Sequence, residues 1–192
     1  MFTQQSEKRC AIFLANGFEE VEALTVSDLL FRAGIPTALI SVQEEPLAVS
    51  SHDLTVITDT TIREADLGAF DMLILPGGMP GTANLEACVP LQEALKAFSA
   101  AGKEVAAICA APTILAHMGL LAGRKATCYP SLREDLIAGG AQALEDSVVT
   151  DGSFITSRGV GTAIDFALAI ITALRGAEAA AAIAGSIVYS KA

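Results

Sequence analysis

The sequence predicts an α/β protein in which helices cover both faces of a mainly parallel sheet. Short apolar runs alternate with stretches of helical periodicity along the whole chain, which is typical of parallel strands joined by helices. Of the 192 residues, 52% are apolar and only 18% are charged. A chain of this length and composition can bury a large core in one domain. We therefore expect residues 1–192 to form a single domain, with residues 1–8 as a flexible N-terminal extension.

Turn residues between the apolar runs mark where the elements begin and end. Gly34 and Pro36 end the first helix, and Gly102 ends the helix before the central strand. Asp151-Gly152 joins two short apolar runs in a hairpin, and alternation within residues 47–59 predicts another hairpin at the sheet edge. Other strands are expected at 10–15, 37–42, 71–75 and 126–129, and one more in the apolar run that ends at residue 108. Helices are expected at 19–33, 85–101, 110–117, 132–138, 161–175 and 177–189.

Charge and composition exclude several classes of function. The net charge of −10 argues against nucleic acid or an anionic membrane as the main partner, because phosphate binding needs clustered lysine and arginine. The two histidines do not form a ligand cluster with the cysteines, so a dedicated zinc site is not expected. No apolar run is long enough to cross a bilayer. The start of the chain is polar, and the four cysteines have no framework spacing. These features favour reduced thiols in the cytoplasm.

Cys109 is the most informative residue of the chain. It follows an apolar strand and precedes a helix-forming stretch, so it lies at a strand-to-helix turn, as nucleophiles of α/β hydrolases do. Unpaired N–H groups at the start of the helix favour the thiolate. The alternative is a buried cysteine that serves only in packing. Residues 17–22 and 76–78 also follow strands, and the carboxyl ends of parallel strands are where ligands bind. This convergence favours a reactive Cys109.

Acidic residues in the first turn of the first helix are candidate partners for this thiol. Glu19, Glu20 and Glu22 can simply complement the helix dipole. A carboxyl group that faces a thiolate must instead keep its proton, and such a glutamate acts as a general acid or base. The loop after strand 71–75, Pro76-Gly77-Gly78, lets the backbone approach a ligand closely, and the N–H groups of Gly78 and Ala110 could form an oxyanion hole.

Neither histidine is a convincing base for Cys109. His117 lies eight residues further along the helix, an axial offset of about 12 Å. His52 belongs to the edge hairpin, and nothing in the sequence brings it near.

Four segments together resemble the DJ-1/ThiJ/PfpI superfamily, and its DJ-1 branch in particular: 13–22, 73–78, 106–112 and 156–162. The resemblance implies a flavodoxin-like three-layer sandwich that forms homodimers without a cofactor. It implies that Cys109 is the nucleophile and Glu22 its protonated partner, with Gly78 and Ala110 as oxyanion-hole donors. The superfamily's proteases have a histidine after the cysteine, where this chain has Ala110, so protease activity is not expected.

The resemblance also implies roles for residues around the pocket. Glu19 and Arg32 match a charged network beside the pocket and the dimer interface, and Gly77 belongs to the pocket loop. Gly159 and Val160 match a loop that reaches toward the partner's pocket. Tyr129 stands where well-known members have a pocket histidine, and a phenol is a poor proton shuttle near pH 7.

The function implied is a cysteine-dependent glyoxalase or deglycase acting on methylglyoxal, glyoxal or their early adducts on protein amines. A second hypothesis is an oxidative-stress sensor or chaperone in which Cys109 becomes a sulfinate. A weaker one is the role in thiamine biosynthesis given to ThiJ-like chains.

Overall fold

The computed structural model describes residues 6–190, and most of these residues belong to strands or helices. The strands are β1 Cys10–Leu14, β2 Thr37–Ser41, β3 Leu47–Val49, β4 Thr55–Ile57, β5 Thr60–Thr61, β6 Met72–Leu75, β7 Glu104–Ile108, β8 Lys125–Ala126, β9 Gln142–Ala143, β10 Val148–Asp151 and β11 Phe154–Ser157. The helices are α1 Glu20–Arg32, α2 Gly81–Glu86, α3 Val89–Ala100, α4 Pro112–His117, α5 Arg133–Ala138, α6 Ala163–Arg175 and α7 Ala177–Ser186. Short 3₁₀ turns lie at Leu67–Ala69, Pro130–Leu132 and Val160–Thr162.

The central sheet confirms the predicted α/β class. Its strand order is β10-β11-β7-β6-β1-β2-β5, and every neighbouring pair is parallel except β10 with β11. All five residues of β1 are buried, and they alternate between the two faces: Ala11 and Phe13 face one apolar cluster, Cys10 and Ile12 the other. Helices α2 to α5 contribute to the first cluster, and α1, α6 and α7 to the second. The molecule is therefore the expected three-layer sandwich.

The sheet brings the chemically unusual segments together. β11, β7, β6 and β1 are adjacent and parallel, so the residues after these strands meet along one edge. The connection from β1 leads through α1 to β2 on one side, whereas β6 lies on the other side of β1. The edge above β1 and β6 is thus the point where strand order reverses, which is where ligands bind in open α/β sheets.

Some predicted elements differ from the observed ones. The helix expected over residues 85–101 is two helices, α2 and α3, separated at Ala87–Cys88. Pro90 has no N–H and fits only the first turn of a helix, so a new helix begins there. The hairpin within 47–59 forms as β3 and β4 but is a separate sheet, and β5 is the edge strand instead.

The segment expected as a strand over 126–129 pairs only at Lys125–Ala126, with the unpredicted strand β9. It leaves the strand conformation because the Tyr129 N–H donates to the carbonyl of Cys109 at 2.8 Å. The last helix ends at Ser186 rather than at Tyr189.

The described part of the N-terminal extension, residues 6–8, contacts the rest of the protein. Residues 1–5 lie outside the described residues, but the Ser6 N–H donates to the Gly34 carbonyl at 3.2 Å. Lys8 forms a 3.0 Å salt bridge with Asp71. Among residues 6–190, no helix is both long and apolar enough to cross a membrane.

Candidate active site

Cys109 occupies a strained backbone position directly after β7. Its φ of +65° is in the left-handed region, which a residue with a side chain rarely adopts. Two hydrogen bonds maintain this conformation: the Cys109 N–H donates to the Ser157 carbonyl at 2.9 Å, and the Cys109 carbonyl accepts from the Tyr129 N–H at 2.8 Å. The geometry matches the predicted strand-to-helix turn, with α4 beginning three residues later at Pro112.

The glycine pair after β6 allows the site to close around the thiol. A β-carbon on Gly77 would lie 2.6 Å from Cys109 Cβ and 2.8 Å from Glu22 Oε2, so no larger residue fits. Gly78 has φ +94°, and a β-carbon there would lie 2.4 Å from the Glu19 nitrogen. Both positions therefore require glycine, for close approach at Gly77 and for conformation at Gly78.

Glu22 is a fully buried carboxyl group in the first turn of α1. Its Oε2 accepts the Gly77 N–H at 2.8 Å, and the carboxyl group also contacts the Cys109 thiol. A β-carbon on Gly159 would lie 3.8 Å from Oε1 and 3.9 Å from Cys109 Sγ, so both atoms border one side of the site. Because Oε2 already accepts a hydrogen bond, a proton carried by Glu22 belongs on Oε1, on the side shared with the thiol.

Burial weakens both acids of this pair. It raises the pKa of Glu22 to about 7, although the Gly77 N–H and the thiol act in the opposite direction. Burial, followed by the negative charge of Glu22, raises the pKa of Cys109 to about 12. The two groups contact each other and titrate as a pair, which releases its first proton near pH 7 and retains the second. Glu22 and Cys109 are therefore coupled, so that a charge on one group weakens the acidity of the other.

The helix start and the burial of the site act on the ionisation of Cys109 in opposite directions. The backbone amides of Ala110 and Gly78 do lower the pKa of Cys109, but burial and the adjacent carboxyl outweigh them. The cost of charge in a site removed from water exceeds the gain from two N–H dipoles. The same two amides lie at the sulfur atom, where the oxyanion hole was predicted.

A cavity of about 540 Å³ opens above the thiol, a volume typical of small-molecule sites. Five lining residues were predicted in addition to Cys109 and Glu22: Glu19, Gly78, Tyr129, Gly159 and Val160. The cavity is also lined by residues that the sequence did not single out: Pro130, Ser147, Arg158, Gly161 and Thr162. Most of these residues follow the predicted strand at 154–156. Because this strand is the neighbour of β7, the residues after it lie beside Cys109.

Arg32 does not line this cavity. It lies at the last turn of α1, where its Nε forms a 2.7 Å salt bridge with Asp28. Glu22 and Arg32 lie ten residues apart on α1, which corresponds to about 15 Å along the helix axis at 1.5 Å per residue. The implied network beside the pocket therefore contains Glu19 but not Arg32 within this chain.

His52 lies closer to the site than the sequence indicated. Its Nδ1 forms a 2.8 Å salt bridge with Glu20 Oε1, and Ser51 next to it contacts Glu19 Oε2 at 3.5 Å. The β3–β4 hairpin folds over the start of α1, through the bridge between Phe18 and Ser50, and this placement carries no sequence signal. Glu19, Glu20 and His52 each have a possible metal-ligand atom within 4.8 Å of the others. The ion pair between Glu20 and His52 already explains why these side chains lie close together.

The fold and this geometry define a class of protein: an open α/β sandwich with a cysteine at a strand-to-helix turn beside a buried glutamate. The model of the DJ-1/PfpI family matches residues 8–173, and the chain belongs to that family.

Relatives and solved structures agree with this assignment. The chain is 38% identical over 184 residues to protein DJ-1 homolog B of Arabidopsis thaliana, covering 95% of this chain but only 42% of that protein. It is 35% identical over 160 residues to the glutathione-independent glyoxalase DJR-1.2 of Caenorhabditis elegans, covering 83% and 84% of the two chains. The structure of oxidized Toxoplasma gondii DJ-1 superposes with a TM-score of 0.91 at 34% identity, over 96% of this chain and 100% of that one.

Proposed function

We propose that this protein is a cysteine-dependent, cofactor-independent glyoxalase that converts methylglyoxal or glyoxal to the 2-hydroxycarboxylate. Early adducts of these aldehydes on protein amines are further substrates of the same site. The observation that carries the proposal is the contact between the Cys109 thiol and the buried carboxyl group of Glu22 beneath an open cavity. The relative from Caenorhabditis elegans, which is named a glutathione-independent glyoxalase, supports it.

The geometry suits addition of the thiol to an aldehyde. Glu22 takes the thiol proton on Oε1 as Sγ forms a bond with the aldehyde carbon, and the carbonyl electron pair moves to oxygen. The N–H groups of Gly78 and Ala110, which lie at the sulfur, would stabilise this oxyanion until Glu22 returns the proton to it. Glu22, now ionised and with a pKa near 7, takes the proton from the first carbon and delivers it to the second carbon. The hydroxyl proton of the first carbon moves to the oxygen of the second, which leaves the thioester of the 2-hydroxy acid. Water hydrolyses the thioester, releasing the 2-hydroxycarboxylate and the free thiol.

Lactate formation from methylglyoxal by the purified protein tests the proposal. Cys109→Ser and Glu22→Gln should each lower kcat/KM by at least about a hundredfold, in the range expected for a nucleophile or an acid–base group. Cys88→Ser is the matched control, because Cys88 lines a different cavity and should leave the rate unchanged. Lactate production by Cys109→Ser at the wild-type rate would exclude this function.

A second candidate function is oxidation sensing at Cys109. Cys10 and Cys128 are buried, whereas Cys109 is accessible from the cavity and has amide N–H donors around its sulfur. Two equivalents of peroxide would oxidise the thiol to a sulfinate, with the oxygens accepting from these donors. The related Toxoplasma gondii structure is of an oxidized form. Mass spectrometry after mild peroxide treatment should find the added oxygen at Cys109, and equal oxidation of Cys88 would contradict the proposal.

We also propose that the chain forms a homodimer through the outer face of α1. Val21 and Leu24 on that helix are 43% and 38% exposed, and Val160 at the cavity mouth is 48% exposed. Exposed apolar side chains of this kind are typical of protein–protein contact surfaces. Leu24→Asp should convert the dimer to a monomer in sedimentation experiments. A wild-type protein that sediments as a monomer at micromolar concentration would rule the dimer out.

A further inference from the structure

Arg158 is the basic side chain among the described residues that line the cavity. It lies between the two residues that adjoin Cys109 from this side: Ser157, whose carbonyl accepts the Cys109 N–H at 2.9 Å, and Gly159, which borders the sulfur. The turn is fixed by hydroxyl groups, because Thr162 Oγ1 contacts Ser157 Oγ at 2.7 Å and the Gly159 carbonyl at 2.9 Å. The guanidinium group is therefore carried by a segment held against the thiol.

Among the described residues, Arg158 uses only a small part of its hydrogen-bonding capacity. Its Nη1 donates to the backbone carbonyl of Glu145 at 2.9 Å, whereas a guanidinium has five N–H donors. Within residues 6–190, the salt bridges do not include Arg158. A half-buried arginine without an acidic partner is unexpected in a chain with a net charge of −10.

A smaller cavity of about 70 Å³ adjoins the first one at Arg158 and Pro130, which line both. Arg133 also lines the smaller cavity, and both arginines are close to the Cys128 thiol. Burial, followed by the negative charge of Asp135, raises the pKa of Cys128 to about 11, and the positive charges of Arg133 and Arg158 oppose this rise. Arg158 therefore stands where the two cavities meet, and Arg133 lies close by in the smaller one.

We propose that Arg158 is an anion subsite of the active-site cavity and binds the carboxylate of a substrate whose carbonyl carbon lies at Cys109. A planar guanidinium matches a carboxylate with two parallel N–H donors. The cavity of about 540 Å³ has room for such a group. Methylglyoxal, with five non-hydrogen atoms, occupies only on the order of 150 Å³ if each atom takes the volume of a water molecule. The inference rests on the proposed function in one respect only, which is that the sulfur of Cys109 is the reacting atom.

Alkylation of Cys109 by two matched reagents tests this subsite without requiring turnover. Iodoacetate and iodoacetamide both form a carbon–sulfur bond and release iodide, but only iodoacetate carries a carboxylate. Quantifying the Cys109 peptide by mass spectrometry gives the ratio of the two rates. The fraction of ionised thiol cancels in this ratio.

Arg158→Gln should lower the ratio of the iodoacetate rate to the iodoacetamide rate about tenfold, the effect of losing one charge-assisted hydrogen bond. Arg158→Lys should restore part of it, because the charge remains but the paired donors do not. Arg63→Gln is the control, since it removes the same charge at an exposed site paired with Glu44. A ratio unaffected by Arg158→Gln, or lowered equally by Arg63→Gln, would overturn the subsite.

A second measurement uses the wild-type protein alone, so that it stands even where Arg158→Gln fails to fold. Lactate should protect Cys109 against iodoacetamide in a saturable manner, whereas the neutral lactamide should not. Equal protection by the two compounds would show that the cavity does not recognise the carboxylate. Because neither assay measures glyoxalase activity, an inactive enzyme that still shows this selectivity would contradict the proposed reaction and leave the subsite intact.

Discussion

The buried carboxyl of Glu22 should make the stability of this protein depend on pH in a direction opposite to that of a salt-bridged carboxylate. Its pKa rises from an ordinary 4.5 to about 7 on folding, chiefly because of burial. Below pH 4.5 the group is protonated in both states, and its favourable contribution is fully present. As the pH rises, the unfolded chain releases the proton first, so the free energy of unfolding falls until the pH passes about 7.

The size of this effect follows from the difference in pKa between the two states. At about 1.4 kcal/mol per pKa unit, the change from 4.5 to about 7 corresponds to roughly 3 kcal/mol. About 2 kcal/mol of this is lost between pH 5.5 and pH 8. Glu22→Gln removes the titration, so the variant should gain that amount relative to the wild type over this interval.

Urea unfolding followed by circular dichroism, at one protein concentration and several pH values, measures the difference. Glu45→Gln is the matched control, because Glu45 is exposed and should give a curve parallel to the wild type. Parallel curves for Glu22→Gln and the wild type would refute the reasoning. They would show that Glu22 ionises in the folded protein as it does in the unfolded chain.

Two further predictions concern the surroundings of the site. Gly77→Ala should lower the free energy of unfolding by about 1–3 kcal/mol, since the added methyl group would lie 2.8 Å from Glu22 Oε2. Gly161 has open space around it, so Gly161→Ala should leave the free energy of unfolding unchanged in the same urea titration. Equal stability of the two variants would contradict the crowding argument. The hydrogen bond and charge of Glu20 raise the pKa of His52 above 6.5, so Glu20→Gln should lower the midpoint of the His52 NMR titration. An identical midpoint in both proteins would show that the ion pair does not form in solution.

The parts of the fold that depend on local pattern could be predicted from the sequence. Parallel strands buried on both faces are continuous apolar runs, so β1, β6 and β7 were recognisable, and Gly34 and Gly102 marked the ends of their neighbouring helices. The strand-to-helix turn at Cys109 followed from the same reasoning. The break between α2 and α3 was also encoded, by Pro90, but was missed because the surrounding periodicity continues through it.

The parts of the site that depend on which strands become neighbours could not be predicted in this way. Arg158 reaches the cavity because β11 pairs with β7, and no local pattern specifies that pairing. His52 reaches Glu20 because a hairpin outside the main sheet folds across the start of α1. The ionisation of Cys109 also depends on which parts of the chain pack together. The effect of the helix start can be inferred from sequence, but the burial that outweighs it depends on the packed structure.

Burial of the Glu22–Cys109 pair explains why the site needs both groups. If burial acted on Cys109 alone, the thiol would stay protonated at neutral pH and could not add to a carbonyl. The same burial brings the pKa of Glu22 to about 7, so the carboxyl can accept the thiol proton and return it near that pH. A more exposed Glu22 would have a pKa closer to 4.5 and would be a weaker base for the thiol. The requirement for close contact without water then accounts for Gly77, the residue whose missing side chain lets the two groups meet.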